Sequence, residues 1–258
     1  MSIIKLNGYD LSLEDLIKVC RYGHKVELTE KAIERIKTAR AIVDDLVENE
    51  KVSYGITTGF GKFSDVVISK KDTRQLQINL IRSHACGVGD PLSEEIVRAM
   101  MLLRINALSK GYSGVRLETL QVLIDMLNKG VHPIVPEKGS LGSSGDLAPL
   151  SHMVLTMLGE GEAIYKGARM DSKDAMEKAG IKPLEYLSSK EGLSLNNGTQ
   201  CMTAVGAITV YDAINLMKTA DIALGLTMEG LNGITCAMDE RVHLVRPHKG
   251  QLQGVMKR

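Results

Sequence analysis

The chain has 258 residues, 44% hydrophobic and 3% aromatic with no tryptophan, and its 32 Lys and Arg nearly balance 31 Asp and Glu, giving a formal charge of +1. That is enough chain for one large domain with a substantial core, and its near-neutrality removes the electrostatic case for nucleic acid or an anionic membrane surface as a partner. Cys20, Cys86, Cys201 and Cys236 lie too far apart for a disulfide framework or a zinc site, MSIIKLNGYDLSLEDL lacks the features of a signal peptide, and no apolar run is long enough to span a bilayer; the expectation is a soluble cytoplasmic protein.

Helical signals dominate, so the expected fold class is mainly α. Ser12 with Asp15 forms a capping-box pattern opening a short helix that Gly23 can stop. Thr29 leads a longer helix with Ile33, Ile36, Val43, Leu46 and Val47 on one stripe. Helical spacing continues from Asp72 to Ser83 through Leu76, Leu80 and Ile81. Ser93-Glu94-Glu95 then supplies a cap and first-turn acids for a helix ending near Gly111. The next helix runs from about Arg116 to Lys129 and is closed by Gly130 and Pro133. Strand signals are thin: Val131 to Val135 is broken by proline, and AIYKGARM at Ala163 to Met170 reads as a small hairpin turning at Lys166-Gly167. From Met202 to Met228 the chain is apolar on more than one face, as expected of a helix buried among others. There is no internal repeat.

Two stretches break this helical texture: YGITTGFGKFSD at Tyr54 to Asp65 and GSLGSSGDLAPLSHM at Gly139 to Met153. Neither fits the common phosphate or hydrolase motifs. Gly55 is followed by five residues before Gly61-Lys62, where a Walker A loop needs four, and Phe63 stands where a hydroxyl should reach magnesium; no nucleotide cofactor is expected. Asp146 occupies the last position of what would be a Gly-x-Ser-x-Gly elbow around Ser144. The six histidines show no HExxH or comparable pairing, so no metal is expected either.

The second stretch admits two readings. In one, Ser143 or Ser144 caps a helix beginning near Leu147, with Asp146 at the positive helix end and Pro149 in the first turn. That account uses one serine and leaves Gly139, Gly142 and the second serine over. In the other, the nitrogen of Gly145 closes a five-membered ring on the carbonyl carbon of Ser143, which glycine permits because no Cβ blocks the approach. Loss of water from the ring and from Ser144 then leaves a methylidene conjugated to a carbonyl, an electrophile that ordinary side chains do not provide.

These residues carry a resemblance. GSLGSSGDLAPLSHM resembles the cofactor loop of the aromatic amino acid ammonia-lyases, most of all the histidine ammonia-lyases, which cyclise it to methylidene-imidazolone. YGITTGFGKF resembles that family's catalytic tyrosine loop, NLIRSHACGVGDPL (79–92) its substrate-side segment, KEGLSLNNGTQ (190–200) its asparagine motif and RPHKGQ (246–251) a later signature. The resemblance covers essentially the whole chain. It implies a single mainly helical domain over 1–258, with a loop-bearing head over about 1–200 and the start of a central helical bundle over 201–258. It also implies that Ser143, Ser144 and Gly145 form the electrophile, Ser144 supplying the methylidene and Asp146 assisting its dehydration. Tyr54 would be the catalytic base, with His84 and Asn197 binding substrate. A histidine at position 84 favours histidine or tyrosine over phenylalanine. The implied reaction is conversion of L-histidine to urocanate and ammonia. The alternatives are a tyrosine ammonia-lyase or aminomutase of the same family, and a non-catalytic assembly module that keeps the loop unmodified.

Three departures from the family pattern stand out. Ser143 replaces the usual alanine, leaving a hydroxymethyl on the ring; Asn196 stands where an apolar residue is usual, which would make a pocket wall more polar; and the sequence ends at Arg258, where family members continue for about as many residues again. The missing part carries residues of active sites shared between subunits. The expectation is an amino-terminal half with weak or no lyase activity alone, partnered by copies of itself or by a complementary carboxy-terminal half, with parts of Met202 to Met228 exposed or paired.

Overall fold

Local capping chemistry sets the first helices. In the computed structural model, which describes residues 3–49, 51–53, 55–59 and 70–256, the Ser12 side chain accepts the Asp15 N–H at 3.1 Å and opens α1 (Leu13–Cys20). Thr29 accepts the Ala32 N–H at 3.3 Å and opens α2 (Glu30–Glu48). Each satisfies a helix N–H that has no partner within the helix. Strands β1 (Ile4–Leu6) and β2 (Val26–Leu28) pair in parallel, with α1 as their crossover.

The core of residues 1–208 is built on α4 (Glu94–Leu108), which lies against α1 and α5 (Leu117–Lys129). Met100, Met101, Leu102 and Ile105 of α4 are fully buried, as are Leu120, Leu123 and Met126 of α5. Burial of each such side chain contributes about 1.5–3 kcal/mol. Ser93 takes the N-cap position of α4 but makes no capping bond, contrary to its expected role; Glu94 and Glu95 favour the positive helix end by charge instead. Gly130 ends α5 with φ +76°, its N–H donating to the Met126 carbonyl, a left-handed cap that glycine adopts without strain.

Buried charges tie these layers together. Arg98 of α4 donates to the Val19 carbonyl at the end of α1 (2.7 Å), to the Leu127 carbonyl at the end of α5 (3.4 Å) and to His132 Nε2 (2.9 Å). Glu191, fully buried at the start of α8 (Glu191–Asn196), accepts from the Arg116 side chain and backbone, from Thr119 Oγ1 (2.7 Å) and from the Ser188 N–H (2.7 Å).

Strand content exceeds what the sequence suggests. The hairpin β6 (Glu162–Tyr165) and β7 (Ala168–Asp171) turns at Lys166-Gly167 as expected, but β4 (Val131–Pro133) joins it antiparallel, with Val131 opposite Tyr165 and Pro133 opposite Ala163. Pro133 does not break this strand because it is the last residue of an edge strand, where a missing N–H costs little. A further pair, β3 (Val88–Pro91) with β5 (Pro136–Lys138), flanks the Gly139 loop. Helices α3 (Lys70–His84), α6 (Leu147–Met157) and α7 (Ser172–Lys178) complete this part with the first turns of α9 (Gln200–Gly230).

Residues 209–258 form a second unit: the remainder of α9, a 3-10 turn at Thr235–Met238, α10 (Glu240–Leu244) and α11 (Lys249–Met256). Ala204 and Ile208 of α9 are buried, but Leu216, Met217 and Leu226 are 70%, 72% and 66% exposed. The expectation of a helix enclosed by others therefore holds in this chain only for the opening turns. Among the described residues no helix is long and apolar enough to cross a membrane.

Candidate active site

The Gly139–Asp146 loop connects β5 to α6. Ser143 and Ser144 are exposed, while Gly145 and Asp146 are buried. Gly145 has φ +137°, and a Cβ there would lie 2.6 Å from the Gly198 nitrogen and 2.7 Å from its oxygen. Only glycine fits, because its main chain lies directly on another main chain.

Helix α6 is not capped by the loop serines. Its N-cap is Asp146, whose side chain makes no capping bond. The carboxylate turns away, accepting from Ser140 Oγ (3.2 Å) and from the Met202 N–H (2.8 Å) in the first turn of α9. Asp146 therefore serves as an external N-cap for α9, where the helix end favours a negative charge. Its own N–H donates to the Gly198 carbonyl at 2.6 Å. The capping account of Ser143 and Ser144 is thus incorrect, and both serines line a cavity instead.

That cavity, of about 260 Å³, lies between the loop and the end of α3, with Ser83, His84 and Cys86 facing Ser143, Ser144 and Gly145. His84 Nδ1 is 2.8 Å from the Leu80 carbonyl. A carbonyl only accepts, so Nδ1 carries a hydrogen, and in the neutral ring Nε2 is then the acceptor. Behind this wall the Gly87 N–H donates to His152 Nε2 of α6 at 3.0 Å, and burial lowers the His152 pKa, keeping the ring neutral and able to accept.

The remaining expected site residues are distributed differently. Asn197 is exposed and does not line the cavity; its backbone closes α8, with its N–H donating to the Leu193 carbonyl at 3.0 Å, and leads into Gly198. Asn196 does not line the cavity: it is buried, with Nδ2 3.3 Å from Ser151 Oγ and Oδ1 without a partner among the described residues. Tyr54 lies outside the described residues. Among those described, no group of three or more His, Cys, Asp or Glu side chains could hold a metal ion.

Sequence reasoning misses Ser140, Gly198 and Arg104. Arg104 is 4% exposed within the apolar run MMLLRINAL, and burial brings its pKa down to about 10. It donates to the Ser194 carbonyl, to the Asn197 carbonyl (3.0 Å) and to Gln200 Oε1 (2.7 Å). A lone arginine in an apolar helix is the one available signal, and it identifies no partner.

A helical head carries a glycine-seated loop beside a small cavity, and the family model for aromatic amino acid lyases matches residues 11–256. The chain belongs to that family. It is 66% identical over 252 residues to a histidine ammonia-lyase of Alkaliphilus oremlandii, covering 98% of this chain and 50% of that protein. Among solved structures it is similar to histidine ammonia-lyase from Trypanosoma cruzi, with TM-score 0.92 and 39% identity over 98% of this chain and 50% of that one. It is also similar to ergothionase from Treponema denticola, with TM-score 0.90 and 36% identity over 99% of this chain and 51% of that one. The chain spans about half the length of the curated relatives it matches.

Proposed function

We propose that this chain carries the electrophile-forming part of a histidine ammonia-lyase, which converts L-histidine to urocanate and ammonia. The observation that carries the reading is the seating of Gly145 directly on the Gly198 backbone, next to the buried Asp146 carboxylate and opposite His84 across the cavity. The residues fit methylidene-imidazolone. Gly145 has no Cβ to obstruct ring closure, and Ser144 sits exposed on the cavity, free of a capping role. In closure a bond forms from the Gly145 nitrogen to the Ser143 carbonyl carbon, and that carbonyl oxygen leaves as water with the hydrogens of the Gly145 and Ser144 amides. A second water takes the Ser144 hydroxyl and its Cα hydrogen. Ser143 in place of alanine adds only a hydroxymethyl, and its exposed position accommodates it.

Once formed, the group supplies an electrophile for the substrate amine, which makes nitrogen a better leaving group. The chain's own residues supply the rest. Asp146, held by Ser140 and by the start of α9, is assigned to assist dehydration of Ser144 from its motif. His84 offers Nε2 as an acceptor to a substrate N–H, which suits an imidazole and disfavours an unsubstituted phenyl. Tyr54 is assigned the role of base for the β-proton from its motif, which requires a phenol acidified below its ordinary ~10. Asn197 is assigned to the substrate and cofactor region on the same basis. A cavity of about 260 Å³ is smaller than the roughly 300 Å³ at which drug-sized sites begin, and suits an amino acid. The exposed apolar residues of α9 suit association with further copies or with a complementary carboxy-terminal half.

The test is intact mass, near-ultraviolet absorbance and deamination together. The chain should be lighter by two waters, Ser144→Ala should restore the unmodified mass less one oxygen, and the chain supplied with the carboxy-terminal half of a histidine ammonia-lyase should release urocanate from L-histidine. Preferential turnover of L-tyrosine would move the assignment to the tyrosine-specific members. An unmodified mass would refute the electrophile and leave the assembly module.

A further inference from the structure

We infer that Arg104 is a positioning residue for the ring-forming segment, holding the Asn197–Gly198 turn on which Gly145 and Asp146 are set. The inference rests on the proposed function, since it concerns how the 143–145 backbone is held for closure.

Arg104 is buried, and its partners among the described residues are the Ser194 and Asn197 carbonyls and Gln200 Oε1, with Nε left without one among them. A buried guanidinium that meets only neutral acceptors, with one N–H unpaired among the described residues, is costly compared with a leucine or methionine in the same place. Its neighbours Met100, Met101, Leu102 and Ile105 show that the helix is otherwise apolar there. What the cation provides is geometric. Its planar fork gathers the carbonyls that close α8 and the side chain that opens α9, fixing the turn between the two helices. Arg98 does the same kind of work between α1 and α5, whereas Asn197, whose carbonyl Arg104 holds, directly precedes the Gly198 on which Gly145 is seated.

The loop reads the position of that turn in two ways. The Gly198 carbonyl accepts the Asp146 N–H at 2.6 Å, and the Gly198 backbone fills the space where a Cβ on Gly145 would lie. The contact can also be disturbed from the other side: a Cβ on Gly198 would collide with Arg104 Nη1 and Gln200 Oε1. Gly198 is not among the residues with positive φ, so alanine there is compatible with the backbone and displaces the guanidinium without removing it. Misplacing reacting atoms by about 1 Å costs on the order of 100-fold in rate.

The experiment follows, by intact mass, the fraction of the full chain that has lost two waters as a function of time after synthesis, together with the thermal midpoint of each variant. The variants are Arg104→Met, Arg104→Lys, Gly198→Ala and, as a stability control, Leu123→Ala, which empties a fully buried position on α5 away from the cavity lining. Ring formation should slow at least about tenfold in Arg104→Met and Gly198→Ala, and less in Arg104→Lys, which keeps the charge but not the fork. Leu123→Ala should lower the midpoint while converting like the wild type. Wild-type conversion rates in both Arg104 variants, or an equal slowing in Leu123→Ala, would overturn the inference while leaving the ring intact. A wild-type chain that never loses water would refute the ring itself, and the inference with it. Should Arg104→Met fail to fold, Gly198→Ala reads the same contact with the arginine present.

Discussion

Replacing Gly145 by alanine places a methyl carbon 2.6 Å from the Gly198 nitrogen, 2.7 Å from its oxygen and 3.1 Å from its carbonyl carbon. Carbon contacts are comfortable at about 3.5–4.0 Å, so the two main chains must separate by roughly 1 Å. Three costs add. An L-residue at φ +137° carries about 1–3 kcal/mol of backbone strain, overpacking against a rigid neighbour adds about 1–3 kcal/mol, and loss of the Asp146 N–H to Gly198 bond removes about 1 kcal/mol. The expected destabilisation is about 3–7 kcal/mol, a large share of the 5–15 kcal/mol typical of a domain. Gly142→Ala is the internal comparison. It too has positive φ, at +70°, but its Cβ would meet only Met202 Cε at an ordinary 3.6 Å, so it should lose only the left-handed cost of about 1–2 kcal/mol. Urea denaturation of both variants reads the difference, and amide exchange at Met202, whose N–H donates to Asp146, should accelerate only in Gly145→Ala. Equal stabilities, or a Gly145→Ala within about 0.5 kcal/mol of wild type, would show that the Gly145–Gly198 contact is not the constraint described.

Two further outcomes follow from single groups. Burial first, and the Arg98 charge second, lower the His132 pKa from 6.5 to about 4; the Glu94 carboxylate 3.5 Å from Nδ1 is 56% exposed and does not offset them. Between those values the unfolded chain binds a proton that the folded chain refuses. Stability is therefore greatest above about pH 6.5 and falls as pH drops toward 4, by up to about 3 kcal/mol. His132→Gln, which keeps an acceptor for Arg98, should flatten that slope in denaturation measured across the range, and an unchanged slope would contradict it. Asn196→Leu should stabilise the chain by about 1 kcal/mol, because it removes a buried oxygen without a partner, and should leave the loss of water from the loop unchanged; a drop in the unfolding midpoint would show that the Ser151 contact outweighs that oxygen.

Features encoded over a few residues were readable in the sequence. Ser12 and Thr29 cap as expected, Gly130 stops α5, and the Lys166-Gly167 turn closes its hairpin, because each depends on groups three or four positions apart. The loop's excess of glycine and serine pointed to something beyond a helix cap, and the structure moves both serines out of the capping role. Contacts between distant segments were not readable. Pro133 looks like a strand breaker until its place at the end of an edge strand is known. Asp146 looks like a cap for its own helix, yet its acceptors serve Ser140 and α9. Asn196 looked like a pocket residue because it stands where the family usually has an apolar one, but the α8 geometry turns it inward toward Ser151. Arg104 advertises itself only as an oddity in an apolar run, since its acceptors come some ninety positions later.

The bond from Asp146 to the Met202 amide joins residues 56 positions apart, and that from Arg104 to Gln200 joins residues 96 apart. During synthesis at about 5–20 residues per second, the serine-glycine segment leaves the ribosome several seconds before the turn that will shape it. Until then nothing holds Gly145 in its unusual conformation, and contacts spanning such distances are the slow ones to form. On the proposed function, maturation of the loop would thereby be scheduled by the chain's own order: the nascent segment would stay chemically ordinary, and acquire its reactivity only once the far side of the fold had arrived to clasp it.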